Sequence, residues 1–275
     1  MSNLPELSVI VPLFQHGDTV ALVHRRLRAF LDGEGLHAEI VLVDDGSDDD
    51  TADALRSLLA LDAQVVAVLL PRNRGQSAAV VAGLEAARGD ILLTTDADLD
   101  TGLHAAMALI AAVRAGADLA CGARVGRSQG LLRRLGSRLL NDLLQRVAGV
   151  AVRDFGCGMS AGSRALLTRW QQQRRGPHVI KLALLALAER VVEVDIELAA
   201  VPTHERVLVP QTGARARSRY GAWSLLQLAV RVLRFRVERV KRVQRGRVAG
   251  VIIGEAPLVL RAPSDAAARG AETTS

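Results

Sequence analysis

Aromatic residues are scarce, at 3% of this 275-residue chain, and there are two cysteines, Cys121 and Cys157. Two cysteines do not make a disulfide framework, and with no clustered Cys/His pairs a zinc site is not expected. A reducing compartment fits this usage. Long apolar runs are also missing. Leu103–Val113 stops at Arg114 and Leu182–Ala188 stops at Glu189, both short of the roughly 18 residues a spanning helix needs. The opening MSNLPELSVIVP has no basic n-region, so no signal peptide is expected. What is present is globular: 49% apolar and 23% charged residues, rich in Ala, Val and Leu. That excludes a disordered or fibrous chain. No internal repeat or clear linker divides the sequence, so a single domain is expected.

The net charge is +6 and the sequence pI about 10.4, which invites a nucleic-acid reading. The basicity is local. Residues 231–247 hold eight basic residues against one acid, a net of +7, which leaves the remainder at −1. Basic residues are not interleaved with aromatics, so a non-enzymatic nucleic-acid binder is disfavoured. A local basic helix suits an anionic membrane surface equally well.

The first half alternates strand and helix patterns. Strands are predicted at Leu7–Leu13, Ala38–Val43, Gln64–Leu70, Asp90–Thr95 and Asp118–Gly122. Helices are predicted at Thr19–Leu31, Thr51–Leu61, Gln76–Arg88 and His104–Ala115. This alternation implies an α/β fold, a mostly parallel sheet with helices on both faces. Ligands then bind beyond the carboxyl ends of the strands. The polar clusters Asp44–Asp50, Arg72–Gln76 and Asp96–Asp100 fall there. The second half is less regular. Helices are expected at Leu131–Ala148, Ser163–Gln173 and His178–Glu189, a strand at Val191–Val201, and a polar loop at Thr203–Arg219. An amphipathic helix is expected at Gly221–Arg245. The tail from Arg261 is expected to be disordered.

Asp96, Asp98 and Asp100 stand at alternating positions after an apolar strand. Such carboxylates can converge on a hard cation, Mg²⁺ or Mn²⁺, which in turn holds a diphosphate. The plainer reading is an acidic turn. Asp44 and Asp45 end the second strand, where they could accept hydrogen bonds from a base or ribose. Gly46 supplies the turn, and Asp/Thr capping explains Ser47, Asp48 and Thr51. Arg72, Arg74, Arg124 and Arg127 lie at strand ends or beyond, where guanidinium groups can bind phosphate bidentately or simply face solvent.

Together, SVIVP at 8–12, VDDGSDDDT at 43–51, RNRGQSAAVVAGLEAARGD at 72–90 and DADLD at 96–100 resemble glycosyltransferase family 2, with the GT-A fold. GAR at 122–124, RDFGCG at 153–158, HER at 204–206 and SRY at 218–220 resemble the branch that transfers sugars to polyprenyl phosphate. That branch includes dolichyl-phosphate mannose synthases and undecaprenyl-phosphate aminoarabinose transferases. The resemblance covers about residues 7–235 and implies roles for the matching positions. Pro12, Asp44, Asp45 and Asp96 would bind the nucleotide. Asp96, Asp98 and Asp100 would hold the metal. Arg124, Asp154, Arg206, Ser218 and Arg219 would meet the phosphates and the acceptor, with Asp98, Arg124 and Arg219 as the catalytic groups. Residues 1–122 would form the nucleotide-sugar half and 123–235 the acceptor half, with 236–275 as the end of the basic helix and the tail.

Four departures accompany the resemblance. Phe14-Gln15-His16 replaces the family's usual Tyr-Asn-Glu. Asp100-Thr101-Gly102-Leu103 replaces its Gln and Pro-Pro-Glu. The loop from Arg206 to Ser218 is longer than usual. No membrane-spanning run follows the SRY segment. The expected activity is a metal-dependent, inverting transfer from a nucleoside-diphosphate sugar to a polyprenyl phosphate at the cytoplasmic membrane face. A soluble glycan or small-molecule acceptor is the alternative. Peripheral attachment is expected through Leu225–Arg245, where apolar residues cover one face and Arg231, Arg234, Lys241, Arg242 and Arg245 the other. A small membrane partner subunit is an alternative anchor. No nucleic-acid partner is expected.

Overall fold

The structure, a computed structural model, describes residues 4–99, 102–125, 152–173, 180–197 and 258–261. These residues fall into two compact units, one within Met1–Asp98 and Glu255–Ser275, the other within Leu99–Gly254.

The first unit holds β1 (Leu7–Leu13), α1 (Val20–Gly33), β2 (Ala38–Asp44), α2 (Thr51–Leu61), β3 (Val65–Leu69), α3 (Gln76–Ala86), β4 (Ile91–Thr94) and, from the distant C-terminal region, β8 (Leu258–Arg261). Nearly every residue of β1, β2 and β3 is buried. That is why they read as continuous apolar, β-branched runs rather than alternating ones. β1 pairs in parallel with β2 and with β4, and β2 in parallel with β3. β8 adds antiparallel to β3. The chain thus steps from β1 to β2 to β3 in one direction, then crosses back to β4 on the other side of β1. Right-handed crossovers place α1 and α2 on one face and α3 on the opposite one. The strand order reverses between β1 and β4, and the carboxyl ends of these two strands open the crevice where ligands bind in such sheets.

The second unit holds α4 (His104–Arg114), β5 (Leu119–Val125), β6 (Ser160–Ser163), α5 (Arg164–Gln173), α6 (Ile180–Leu187) and β7 (Val191–Glu197). β5 pairs in parallel with β7 and antiparallel with β6. A core of Leu119, Cys121, Val152, Leu166 and Leu185, with Phe155 and Leu184 against it, lies beneath these strands. Both cysteines are free and buried, and burial pushes the Cys121 thiol up to about 11. Burial raises the Cys157 thiol as well, which disfavours the reactive thiolate at both.

The expected alternation holds through β5, with boundaries moved by up to three residues. Three elements differ. β6, SAGS, carries too few large apolar residues to stand out as a strand, and its antiparallel register with β5 creates it. β8 lies where no element is expected, and its last residue is Arg261. Asp50 is the N-cap of α2 but makes no side-chain cap. Asp49 does the work instead, accepting from the Thr51 N–H at 3.1 Å and the Thr51 hydroxyl at 2.5 Å. The helix expected at Leu131–Ala148, the loop Thr203–Arg219, the helix Gly221–Arg245 and Arg127 lie outside the described residues. Among the described residues, no helix is long and apolar enough to cross a membrane.

Candidate active site

The loops after β1, β2, β3 and β4 are joined by hydrogen bonds at one edge of the first unit. Asp44 and Asp45 are both buried, 3% exposed each. Asp44 Oδ1 accepts from the Ser47 N–H at 3.0 Å and the Ser47 hydroxyl at 2.5 Å. No described residue bonds its Oδ2. Asp45 uses both oxygens, Oδ1 to the Arg74 N–H and Oδ2 to the Gly75 N–H, each at 2.8 Å. Burial pushes the Asp45 carboxyl above its ordinary range and Asp44 adds to this, against the two N–H donors and Arg74. The two acids therefore differ. Asp45 fastens the end of β2 to the loop after β3, while Asp44 bonds Ser47 through one oxygen.

Gly46 makes this junction possible. Its φ of 67° is left-handed, and a Cβ there would sit 2.3 Å from the Arg72 carbonyl carbon and 2.6 Å from the Asn73 nitrogen. Those are backbone atoms, so the clash moves the loop that presents Arg74 and Gly75 to Asp45. Gly46→Ala should cost about 2 kcal/mol, combining left-handed strain with overpacking. Urea denaturation checks this, and a midpoint equal to the parent's would refute it.

The loop after β1 is tied across in the same way. Gln15 adopts a left-handed φ of 58°. Its N–H donates to Ser47 Oγ at 2.8 Å, and its side-chain amide to Asp48 Oδ1 at 2.7 Å. The His16 N–H donates to Thr51 Oγ1 at 2.9 Å, and the Gly17 N–H to Asp49 Oδ2 at 3.0 Å. The His16 ring is buried, with Nδ1 2.8 Å from Thr19 Oγ1. Burial holds its pKa below the ordinary value, against the pull of Asp49. Pro12 is partly exposed and pairs in register with Val43.

Asp96 and Asp98 follow β4, both half-buried. The Gln76 side-chain amide, at the first turn of α3, donates to Asp96 Oδ1 at 2.6 Å. The next residue, Leu99, has a left-handed φ of 52° and is buried. The hydroxyl of Thr95, just before the acids, is buried with no hydrogen-bond partner among the described residues. Two carboxylates and this orphaned hydroxyl are hard oxygen donors of the kind Mg²⁺ and Mn²⁺ take, so the residues present fit such a cation. Among the described residues no group of three ligating side chains is assembled. Asp100, the third ligand expected from the sequence, lies outside them.

In the second unit, Arg124 near the end of β5 and Asp154 form a forked ion pair. Arg124 Nε donates to Oδ2 at 2.7 Å, Nη2 to Oδ1 at 3.0 Å, and the Arg124 N–H to Oδ2 at 3.3 Å. Burial raises the Asp154 pKa, but Arg124 outweighs it and holds the carboxyl below its ordinary range. Arg206, Ser218 and Arg219 lie outside the described residues. Sequence reasoning did not single out Thr95 or Gln76, nor foresee the bonds of Gln15. Gln76 stood inside a quoted motif and Gln15 in a departure from the family pattern, but only the fold shows which acids they meet.

Residues 8–170 match the family model described as glycosyl transferase family 2. Curated relatives include the undecaprenyl-phosphate 4-deoxy-4-formamido-L-arabinose transferase of Edwardsiella ictaluri, 33% identical over 223 residues, covering 81% of this chain and 65% of the relative. The protein of the same name from Pseudomonas fluorescens (strain SBW25) is 33% identical over 225 residues, covering 81% and 62%. The chain thus spans less than two thirds of the length of these relatives. Among solved structures, glucosyl-3-phosphoglycerate synthase from Mycobacterium tuberculosis in complex with UDP has a TM-score of 0.55 at 21% identity, covering 82% of this chain and 80% of that one. The same enzyme with Mn²⁺, UDP and glucosyl-3-phosphoglycerate has a TM-score of 0.54 at 21% identity, again covering 82% and 80%. These likenesses show the fold, and it is the expected GT-A fold.

Proposed function

This chain belongs to glycosyl transferase family 2, and we propose that it moves a sugar from a nucleoside-diphosphate sugar to a polyprenyl phosphate with inversion at the anomeric carbon. The observation that carries this reading is the position of Asp96 and Asp98. They leave the carboxyl end of β4 beside β1, at the reversal of strand order. The same edge carries Asp44 and Pro12, which we assign with Asp45 and Asp96 to the nucleotide. The curated relatives are named for undecaprenyl phosphate, and the M. tuberculosis neighbour is titled with Mn²⁺ and UDP. Both support the assigned substrates. We place the nucleotide-sugar half in residues 1–122 and the acceptor half in 123–235.

An oxygen of the acceptor phosphate attacks the anomeric carbon while the bond from that carbon to the diphosphate oxygen breaks, and the electron pair leaves with the nucleoside diphosphate. The attacking oxygen is already anionic, so no strong general base is required. The chain's work is positioning and charge neutralisation. Asp96 and Asp98, with Asp100 as the assigned third ligand, would hold Mg²⁺ or Mn²⁺, which when bound neutralises the leaving diphosphate. Arg124, Arg206, Ser218 and Arg219 are assigned to the phosphates, with Asp154 orienting Arg124. We place the chain peripherally on the cytoplasmic membrane face through Leu225–Arg245, or through a small partner subunit on that surface.

The test is a panel of nucleotide sugars with undecaprenyl phosphate in anionic liposomes. One donor should be consumed with formation of a lipid-linked sugar. The chain should pellet with the liposomes, and changing Arg234, Lys241, Arg242 and Arg245 to Gln should abolish pelleting. Transfer to soluble acceptors but never to the lipid phosphate would replace the acceptor class. Equal pelleting of parent and variant would remove the basic segment as the anchor.

A further inference from the structure

Gln15 and Leu99 are the two non-glycine residues at positive φ among the described residues, at 58° and 52°. They follow β1 and β4, the neighbouring strands at the reversal of strand order. A left-handed residue of this kind persists where its surroundings over-determine it, and such residues cluster at functional sites. Leu99 is buried. Gln15 is only partly buried and is held by side chains of the loop after β2. Its N–H donates to Ser47 Oγ at 2.8 Å and its side-chain amide to Asp48 Oδ1 at 2.7 Å.

Turn and capping chemistry is the expected role of Ser47. Gln15 gives its hydroxyl a partner from outside the turn, 32 residues away. The hydroxyl proton goes to Asp44 Oδ1 at 2.5 Å, and the Ser47 N–H meets the same oxygen at 3.0 Å. Two donors from one residue hold the orientation of a carboxylate that is itself buried. A hydroxyl that donates to an anion is a better acceptor, so the bonds to Asp44 and from Gln15 strengthen each other. The result is a relay from the Gln15 N–H through Ser47 Oγ to Asp44 Oδ1. The other ties between these two loops bypass Asp44. They run from the His16 N–H to Thr51 Oγ1 at 2.9 Å and from the Gly17 N–H to Asp49 Oδ2 at 3.0 Å.

We infer that Ser47 is a positioning residue for the nucleoside diphosphate, setting the Asp44 carboxylate and locking the loop after β1 through one hydroxyl. This rests on the assignment of Asp44 to the nucleotide.

The experiment compares the full chain with Ser47→Ala, Ser47→Thr and Thr51→Val. Calorimetry with Mg²⁺ present measures binding of UDP, GDP, CDP, ADP and dTDP. Ser47→Ala should bind the parent's nucleotide about tenfold more weakly, the scale of a hydrogen bond to a charged group. Ser47→Thr keeps the hydroxyl and should recover most of that loss. Thr51→Val removes a hydroxyl that ties the same two loops without touching Asp44, and should cost less affinity than Ser47→Ala. In sugar transfer, the Ser47→Ala loss should fall on the donor KM rather than on kcat. Amide exchange at Gln15 should quicken in Ser47→Ala. Parent affinity in Ser47→Ala, or an equal loss in Thr51→Val, overturns the inference and leaves the transferase reading intact. So does a Ser47→Ala that loses thermal stability alone. A parent that binds a nucleoside diphosphate in a Ser47-dependent way but transfers no sugar supports the inference and removes the transferase reading. A parent that binds none of these nucleotides overturns both.

Discussion

Replacing Asp98 by Ala should lower turnover by at least about two orders of magnitude, the scale for removing one preorganised charge-stabilising group. The acid is half-buried in the turn that leaves β4. Leu99 is buried and holds the left-handed corner of that turn. The variant should therefore fold, and the loss should appear in the chemistry. Chelation by excess EDTA should produce a loss of similar size in the parent. EDTA should add little to the loss in Asp98→Ala, because both interventions remove the same charge compensation and groups acting as a unit are not additive. Asp96→Ala should behave alike but also release the Gln76 amide, which donates to Asp96 Oδ1 at 2.6 Å. Parent-like transfer by Asp98→Ala, or by the parent in excess EDTA, would defeat the metal assignment.

The contrast between Asp44 and Asp45 shows how far a sequence carries such a site. Both read alike as adjacent acids at a strand end. Asp45 is spent on backbone N–H groups 29 and 30 residues away, a long-range pairing that no local pattern encodes. Asp44 is spent in part on Ser47, three residues on, a turn the sequence does announce. The parallel strands were legible for a physical reason, since burial on both faces leaves unbroken apolar runs. β6 was not, because Ser160, Ala161, Gly162 and Ser163 carry no periodic signal and become a strand through pairing, antiparallel to β5. The ring of contacts among Gln15, Ser47, Asp48, Asp49 and Thr51 was half legible. The motif named the acids, and the fold supplied the loop after β1 that they hold.

Glu39 is the largest stability prediction, and it concerns the opposite end of the strands from the ligand edge. It is the second residue of β2, 2% exposed, in register with Ser8. Oε1 accepts from the Ser8 hydroxyl at 2.7 Å and the Arg88 N–H at 2.5 Å. Oε2 accepts from Arg88 Nε and from Arg261 Nη1, each at 3.1 Å. Arg261 also donates to the Ala86 carbonyl. One buried carboxylate thus joins β1, β2, the end of α3 and the C-terminal strand β8. Glu39→Gln keeps the shape but turns one acceptor into a donor facing two guanidinium groups. Breaking a buried pair costs about 3–5 kcal/mol. The Arg88 and Arg261 side chains are 47% and 31% exposed, so both can turn to water, and the lower end, about 3 kcal/mol, is expected. For a chain of this size that is a Tm loss of roughly 6–12 °C. The pH dependence has a definite sign. Burial raises the Glu39 pKa, but the donated bonds from Arg88 and Ser8 and the Arg88 charge outweigh it, so the folded value lies below the ordinary one. A depressed carboxylate contributes its stability in full above the unfolded pKa and loses it as pH falls through the folded one. The stability gap between parent and Glu39→Gln should therefore be widest near neutral pH and narrow on acidification below the ordinary carboxylate range. Thermal melts across that span measure it, and a gap that stays constant into acid, or a variant as stable as the parent, would show that the carboxylate charge does not hold β8 to the sheet.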